Sequence, residues 1–251
     1  MNKKVFLVVL GVFLLSGVIY TFFQLKEVTI SKDNESSTKV SKIDNKSSRQ
    51  RNEYRTGDLI LAVNQHNLKK VNLIVNTPYY KIDELDSNRN TPLNLAVHNN
   101  DVQIAKVLIN KGADINLQND MKDSPYLYAG AEGRTEILRE MLKNSQPDLS
   151  KHNRYGGNAL IPAAEKGHID NVKLLLDYGQ ENINYQNNFG YTALIEVVGL
   201  RENNQIYQDI TRILLQHGAD QSITDNSGRT AADYAMQKNS IEILNILNKF
   251  H

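Results

Sequence analysis

The chain contains no cysteine, so disulfides, thiolate metal sites and cysteine nucleophiles are excluded and packing alone must hold the fold. None of the six histidines has another at the two-to-five-residue spacing of a local zinc site. Gly130-Ala-Glu-Gly133 is followed by no Lys-Ser/Thr pair, and no Gly-x-Ser-x-Gly turn occurs, so neither a phosphate cradle nor a nucleophile elbow is present. Acidic residues are scattered, without the paired carboxylates that acid–base chemistry needs. The basic face of a nucleic-acid binder is missing too. Residues 1–57 hold ten Lys/Arg against five Asp/Glu, whereas the rest hold nineteen against twenty-three, which leaves the folded part mildly acidic. These absences point away from an enzyme, a metal, a cofactor, a small-molecule substrate and nucleic acid.

What is present begins with an apolar run. Residues 5–25 carry no charge and follow Lys3 and Lys4. At ~1.5 Å per residue a helix of this length spans the ~30 Å hydrocarbon core of a bilayer. The run is longer than the apolar region of a cleaved signal and ends in bulky residues, so an uncleaved single-pass anchor is expected over residues 1–25. The two leading lysines place the remainder outside the cytoplasm. The alternative is a secreted or periplasmic protein released by signal cleavage. Residues 26–55 are rich in Ser, Lys, Asn, Asp and Glu without periodicity, the composition of a disordered, flexible linker.

The remainder repeats. Thr91-Pro-Leu-Asn-Leu-Ala96 recurs as Ser124-Pro-Tyr-Leu-Tyr-Ala129, Asn158-Ala-Leu-Ile-Pro-Ala163, Thr192-Ala-Leu-Ile-Glu-Val197 and Thr230-Ala-Ala-Asp-Tyr-Ala235, at intervals of 33, 34, 34 and 38 residues. Each copy opens with a small polar residue suited to accept from the free N–H groups of a helix start. Pro92 and Pro125 follow at the first helical position, where proline is tolerated. A second amphipathic segment comes next, such as Val102, Ala105, Leu108 and Ile109. Gly112, Gly179 and Gly218 then end it, where a left-handed backbone favours glycine.

These residues resemble the ankyrin repeat, whose pattern runs Thr-Pro-Leu-His-x-Ala-Ala, then Gly-His, then an aliphatic run closing on Gly-Ala-Asp-x-Asn. Thr91-Pro-Leu with Ala96, Gly167-His168, Leu174-Leu-Leu176, Gly112-Ala-Asp-Ile-Asn116 and Gly218-Ala-Asp220 carry the likeness. Ser145-Gln-Pro-Asp148 replaces Gly-Ala-Asp, Asn94 and Ile161 take the histidine position, and the fifth unit gains five residues at 201–205, read as a solvated loop. Gly57-Asp-Leu-Ile-Leu-Ala62 reads as a degenerate first unit with an enlarged loop around Pro78-Tyr-Tyr80, and Asn248 gives the last helix a polar outer face. The expected fold is therefore all-α: a solenoid over 56–251 of about six helix-turn-helix units, near 56–87, 88–120, 121–154, 155–188, 189–226 and 227–251, preceded by the transmembrane helix and linker.

The resemblance implies a non-enzymatic protein-binding module that uses a concave groove of first helices and hairpin tips. Residues outside the repeat pattern are its candidate contacts. At the tips these are Met121, Lys122, His152, Arg154, Tyr155, Asn188 and Phe189; on the first helices they are Tyr128, Glu196 and Tyr234. The expected partners are a protein and, through residues 5–25, a membrane. Two sharper readings are an inhibitor or immunity protein against a toxin in a bacterial envelope, and a structural spacer in a membrane complex.

Overall fold

A computed structural model describes the backbone of residues 5–15 and 18–28 and all of residues 54–250. Two compact units divide the chain, 1–49 and 50–251.

In the first unit, strands β1 (Val5–Leu15) and β2 (Val18–Val28) pair antiparallel, with Leu15 opposite Val18 and Val5 opposite Val28. This corrects the single helix expected over residues 5–25. Among the described residues no helix is long and apolar enough to cross a membrane. Runs of Val, Ile, Phe and Tyr favour pleated backbone as readily as helix, and Ser16-Gly17, a weak pair for either, falls at the midpoint of the run. Residues 29–53 of the expected linker lie outside the described residues.

The second unit is all-helical among its described residues. Its pairs are α1 (Asp58–Asn64) with α2 (Leu68–Val75), α3 (Pro92–His98) with α4 (Val102–Asn110), and α5 (Pro125–Ala131) with α6 (Thr135–Asn144). Then follow α7 (Leu160–Glu165) with α8 (Ile169–Tyr178), α9 (Ala193–Leu200) with α10 (Gln205–Gln216), and α11 (Ala231–Gln237) with α12 (Ile241–Leu247), closed by a 3-10 turn over Asn248–Phe250. First helices pack on first helices and second on second along the array. One continuous apolar seam results, from Leu59 through Leu108, Leu138, Leu175 and Leu214 to Leu247. No pair could form it alone.

The helix starts follow the capping chemistry of the sequence. Thr91, Ser124, Thr192 and Thr230 each accept from the backbone N–H three residues on, and Asn158 does the same for Ile161. Asn94, at the histidine position, completes a capping box with Thr91 and donates onward to the Asp123 carbonyl. The inserted residues are exposed over 202–205, as expected of a solvated loop, and are tied at both ends. Arg201 pairs with Glu165, Asn204 caps α10, and Gln205 is the first residue of that helix.

α1 lacks a side-chain cap of its own, because Gly57 stands at its start. Glu84 supplies one from the enlarged loop. Its buried carboxylate accepts from Gly57 N at 2.6 Å and Ile60 N at 2.9 Å, and lies 3.0 Å from the Tyr80 hydroxyl. Tyr80 has its pKa pushed up to about 12, first by burial and then by the neighbouring Glu84.

The hairpins that join the units share one design. Asp86, Asn119, Asn153, Asn187 and Asp225 each use Oδ1 to accept two backbone N–H groups, two and four residues on. The residue three after each has positive φ: Arg89, Lys122, Gly156, Gly190 and Gly228. Neighbouring tips are tied together. Asp120 N donates to Asn88 O, Asn188 N to Tyr155 O, and Asn226 N to Phe189 O. Between the second and third tips, Gln118 Nε2 bridges the carbonyls of Lys122 and His152.

Candidate protein-binding groove

The tip design sets what the hairpins display. The residue two after each Asx is held by its own N–H, leaving its side chain to project. Met121, Tyr155 and Phe189 occupy this one position in three successive tips and are 53%, 52% and 53% exposed. Beside them, first helices α5, α7 and α9 form the floor. Together tips and floor enclose a groove of about 750 Å³.

The structure sorts the sequence candidates into three places. Met121, Tyr128, Arg154, Tyr155, Phe189 and Glu196 line the groove. Lys122, His152 and Asn188 lie instead in a smaller hollow of about 360 Å³, which Arg154 also borders. Tyr234 was expected to face the groove and is buried, 6% exposed. Its hydroxyl donates to Asp225 Oδ2 at 2.5 Å, its ring meets Tyr191 edge-on at 6.4 Å, and the Arg229 guanidinium lies 4.4 Å from its centroid. Burial works to raise the Asp225 carboxyl, but hydrogen bonds from Ser227, Tyr234 and the backbone outweigh it and hold the group well below the carboxylate range.

Side-chain stacking fixes the groove walls. Tyr128 stacks on His98 with ring centroids 3.7 Å apart, and burial lowers the pKa of His98 from its ordinary value. Phe189 lies 5.9 Å from Tyr191, and Arg154 sits 5.0 Å from the centre of the Tyr155 ring. At the floor, Glu196 is 5% exposed and Oε1 accepts from Asn187 Nδ2 at 3.0 Å. Burial, with Glu165 nearby, pushes its carboxyl up to about 7.

Sequence reasoning missed His98, Asp123, Glu165 and Tyr191, all of which line the groove. His98 and Glu165 close the first helices α3 and α7, and Asp123 and Tyr191 occupy one shared place just before a helix cap, so aligning the units position by position would have found them. Among the described residues, no group of three or more His, Asp or Glu is arranged to hold a metal ion.

A family model described as ankyrin repeat matches residues 88–120, and one described as ankyrin repeats, three copies, matches 116–187 and 180–249. No curated protein matches the chain. Among solved structures, the chain is similar to EF0377, an ankyrin repeat protein, at 67% identity and a TM-score of 0.78, over 79% of this chain and 100% of that one. It is also similar to an ankyrin repeat domain from Acinetobacter baumannii, ABAYE2397, at 38% identity and a TM-score of 0.74, over 77% and 97%. The ankyrin repeat domain of Bcl-3, a member of the IkappaB protein family, matches at 27% identity and a TM-score of 0.70, over 77% and 85%. Ankyrin repeats are generally protein–protein interaction modules and typically non-enzymatic. With six capped helix pairs stacked on one seam and family matches running from residue 88 to residue 249, the chain belongs to the ankyrin repeat family.

Proposed function

We propose that this protein binds a protein partner in the groove between its hairpin tips and first helices, holding that partner near a membrane. The observation that carries the reading is the row of half-exposed Met121, Tyr155 and Phe189 at one register position above a floor of first helices. Exposed aromatic and methionine side chains over a concave surface are the composition of interface centres. The test places a photo-crosslinking residue at Phe189 in the full chain in its native cells, with Lys173 on α8 as the control position. A discrete crosslinked species at 189, absent at 173 and lost on Tyr155→Ala, is the expected result. Equal labelling at both positions, or none at either, removes the reading in favour of a structural spacer.

The membrane tether is residues 5–25, with the repeats on the outer side. What supports this reading is in the sequence: residues 5–25 carry no charge and follow Lys3 and Lys4, which places the lysines on the cytoplasmic side. Protease added outside intact cells cuts near Lys39 if this orientation holds. Protection until lysis overturns it.

A further inference from the structure

The charges around the groove do not cancel. Four carboxylates, Asp123, Glu132, Glu165 and Glu196, line it against two cations, Arg154 and Lys166. Lys166 pairs with Glu132, and Arg201 reaches Glu165 from the edge. Arg154 lies over the Tyr155 ring and its positive charge acts on Asp123. Glu196 is left without an ion pair. It is nine-tenths buried, and while Oε1 accepts from Asn187, Oε2 has no hydrogen-bond partner.

A buried carboxylate oxygen with nothing to accept is costly, and the surroundings indicate what would relieve it. An apolar side chain would leave Oε2 unmet. An acidic one would meet four carboxylates. A cationic one would find a counter-charge at the floor and ring faces at the mouth, since Tyr155, Phe189 and Tyr191 border the same space. Resting on the groove as the docking surface, we propose that the partner is anchored by one basic side chain, an arginine or lysine, which passes the rings of Tyr155, Phe189 and Tyr191 and presents its charge to Glu196. Rotation about the terminal torsion of Glu196 brings either oxygen to the incoming group, and such sp³–sp² torsions are soft.

The anchor has a pH signature. A bound cation favours the charged form of Glu196, so binding releases a proton wherever the free carboxyl is partly protonated. Around the group, Glu165 on α7 resists the charged form, whereas Asn187 in the hairpin and Arg201 after α9 assist it. Affinity for a basic anchor therefore rises between pH 6 and 8.

The test titrates the full chain in detergent with capped tripeptides of glycine, a central residue and glycine, following ring resonances by NMR. With central arginine the rings of Tyr155, Phe189 and Tyr191 shift, and binding is about tenfold tighter than with the uncharged isostere citrulline. In Glu196→Gln the difference disappears while the melting temperature holds or rises. Equal binding of the arginine and citrulline peptides to the natural chain overturns the proposal whether or not the variant folds, as does tighter binding of a central glutamate. The parent reading fails separately: a photo-crosslink from Phe189 that persists unchanged in Glu196→Gln keeps the groove as docking surface and removes the cationic anchor.

Discussion

The hydroxyl of Tyr126 donates to Glu181 Oε1 at 2.5 Å, joining residues 55 positions apart. Tyr126 is the second residue of α5, the first helix of the third unit, and Glu181 lies in the turn after α8 of the fourth. Burial raises both groups, the Glu181 carboxyl against the hydrogen bonds it receives from Tyr126 and Asn158. Tyr126→Phe removes the donor and leaves a half-buried carboxylate short of one partner. That costs about 1–3 kcal/mol in urea denaturation, whereas Glu181→Gln, which keeps an acceptor and removes the charge, costs less. Equal losses from the two would mean that the unmatched carboxylate charge adds nothing to the lost hydrogen bond, and would refute this account.

Glu84 holds the start of α1 from 24 to 27 residues away. Glu84→Ala leaves two backbone N–H groups without their acceptor and the Tyr80 hydroxyl without one of its neighbours. The expected loss is about 2–4 kcal/mol. Because each unit leans only on its neighbours, the loss should be local: amide exchange rises in residues 58–75 and stays unchanged in residues 231–247.

How much of this was legible in the sequence depends on the range of each interaction. The caps at Thr91, Ser124, Thr192 and Thr230 and the proline at position 92 act within one helical turn, so residue type and spacing announced them. Glu84 and Glu181 act across loops and unit boundaries, and nothing local marks either of them as a structural carboxylate. Tyr234 misled for a related reason. It holds the same position in its unit as Tyr128 and Glu196, but Arg229, Asp225 and Tyr191 close over it. Residues 5–25 misled because hydropathy reports burial without distinguishing strand from helix.

Gly130 on α5 approaches α7 closely, and a Cβ there would lie 2.8 Å from the Ala159 Cβ. Gly130→Ala forces the third and fourth units apart, at about 1–3 kcal/mol. Since the collision is between two methyl carbons, Gly130→Ala with Ala159→Gly should recover part of the loss. A melting curve for the double variant no better than for the single one contradicts this account.

The Glu196 carboxyl titrates near 7 in the fold and near its ordinary 4.5 in the unfolded chain. The folded state thus holds its proton over that interval and the unfolded state does not, so stability falls as pH rises from about 4.5 to about 7 and levels off above. The full effect is at most about 3 kcal/mol. Glu196→Gln has no proton to lose there. Compared with the natural chain by urea denaturation, it should gain relative stability between pH 5 and pH 8, and a constant gap across that range refutes the assignment.

The bonds between neighbouring tips, from Asn88 O to Asp120 N and from Phe189 O to Asn226 N, together with the Gln118 bridge, leave little play between one unit and the next. Met121, Tyr155 and Phe189 therefore stand at set intervals before anything arrives. A docking segment would be measured against a ruler rather than wrapped by a hand: its spacing of apolar side chains would decide acceptance, and shifting that spacing by a single residue should weaken binding more than exchanging one apolar side chain for another.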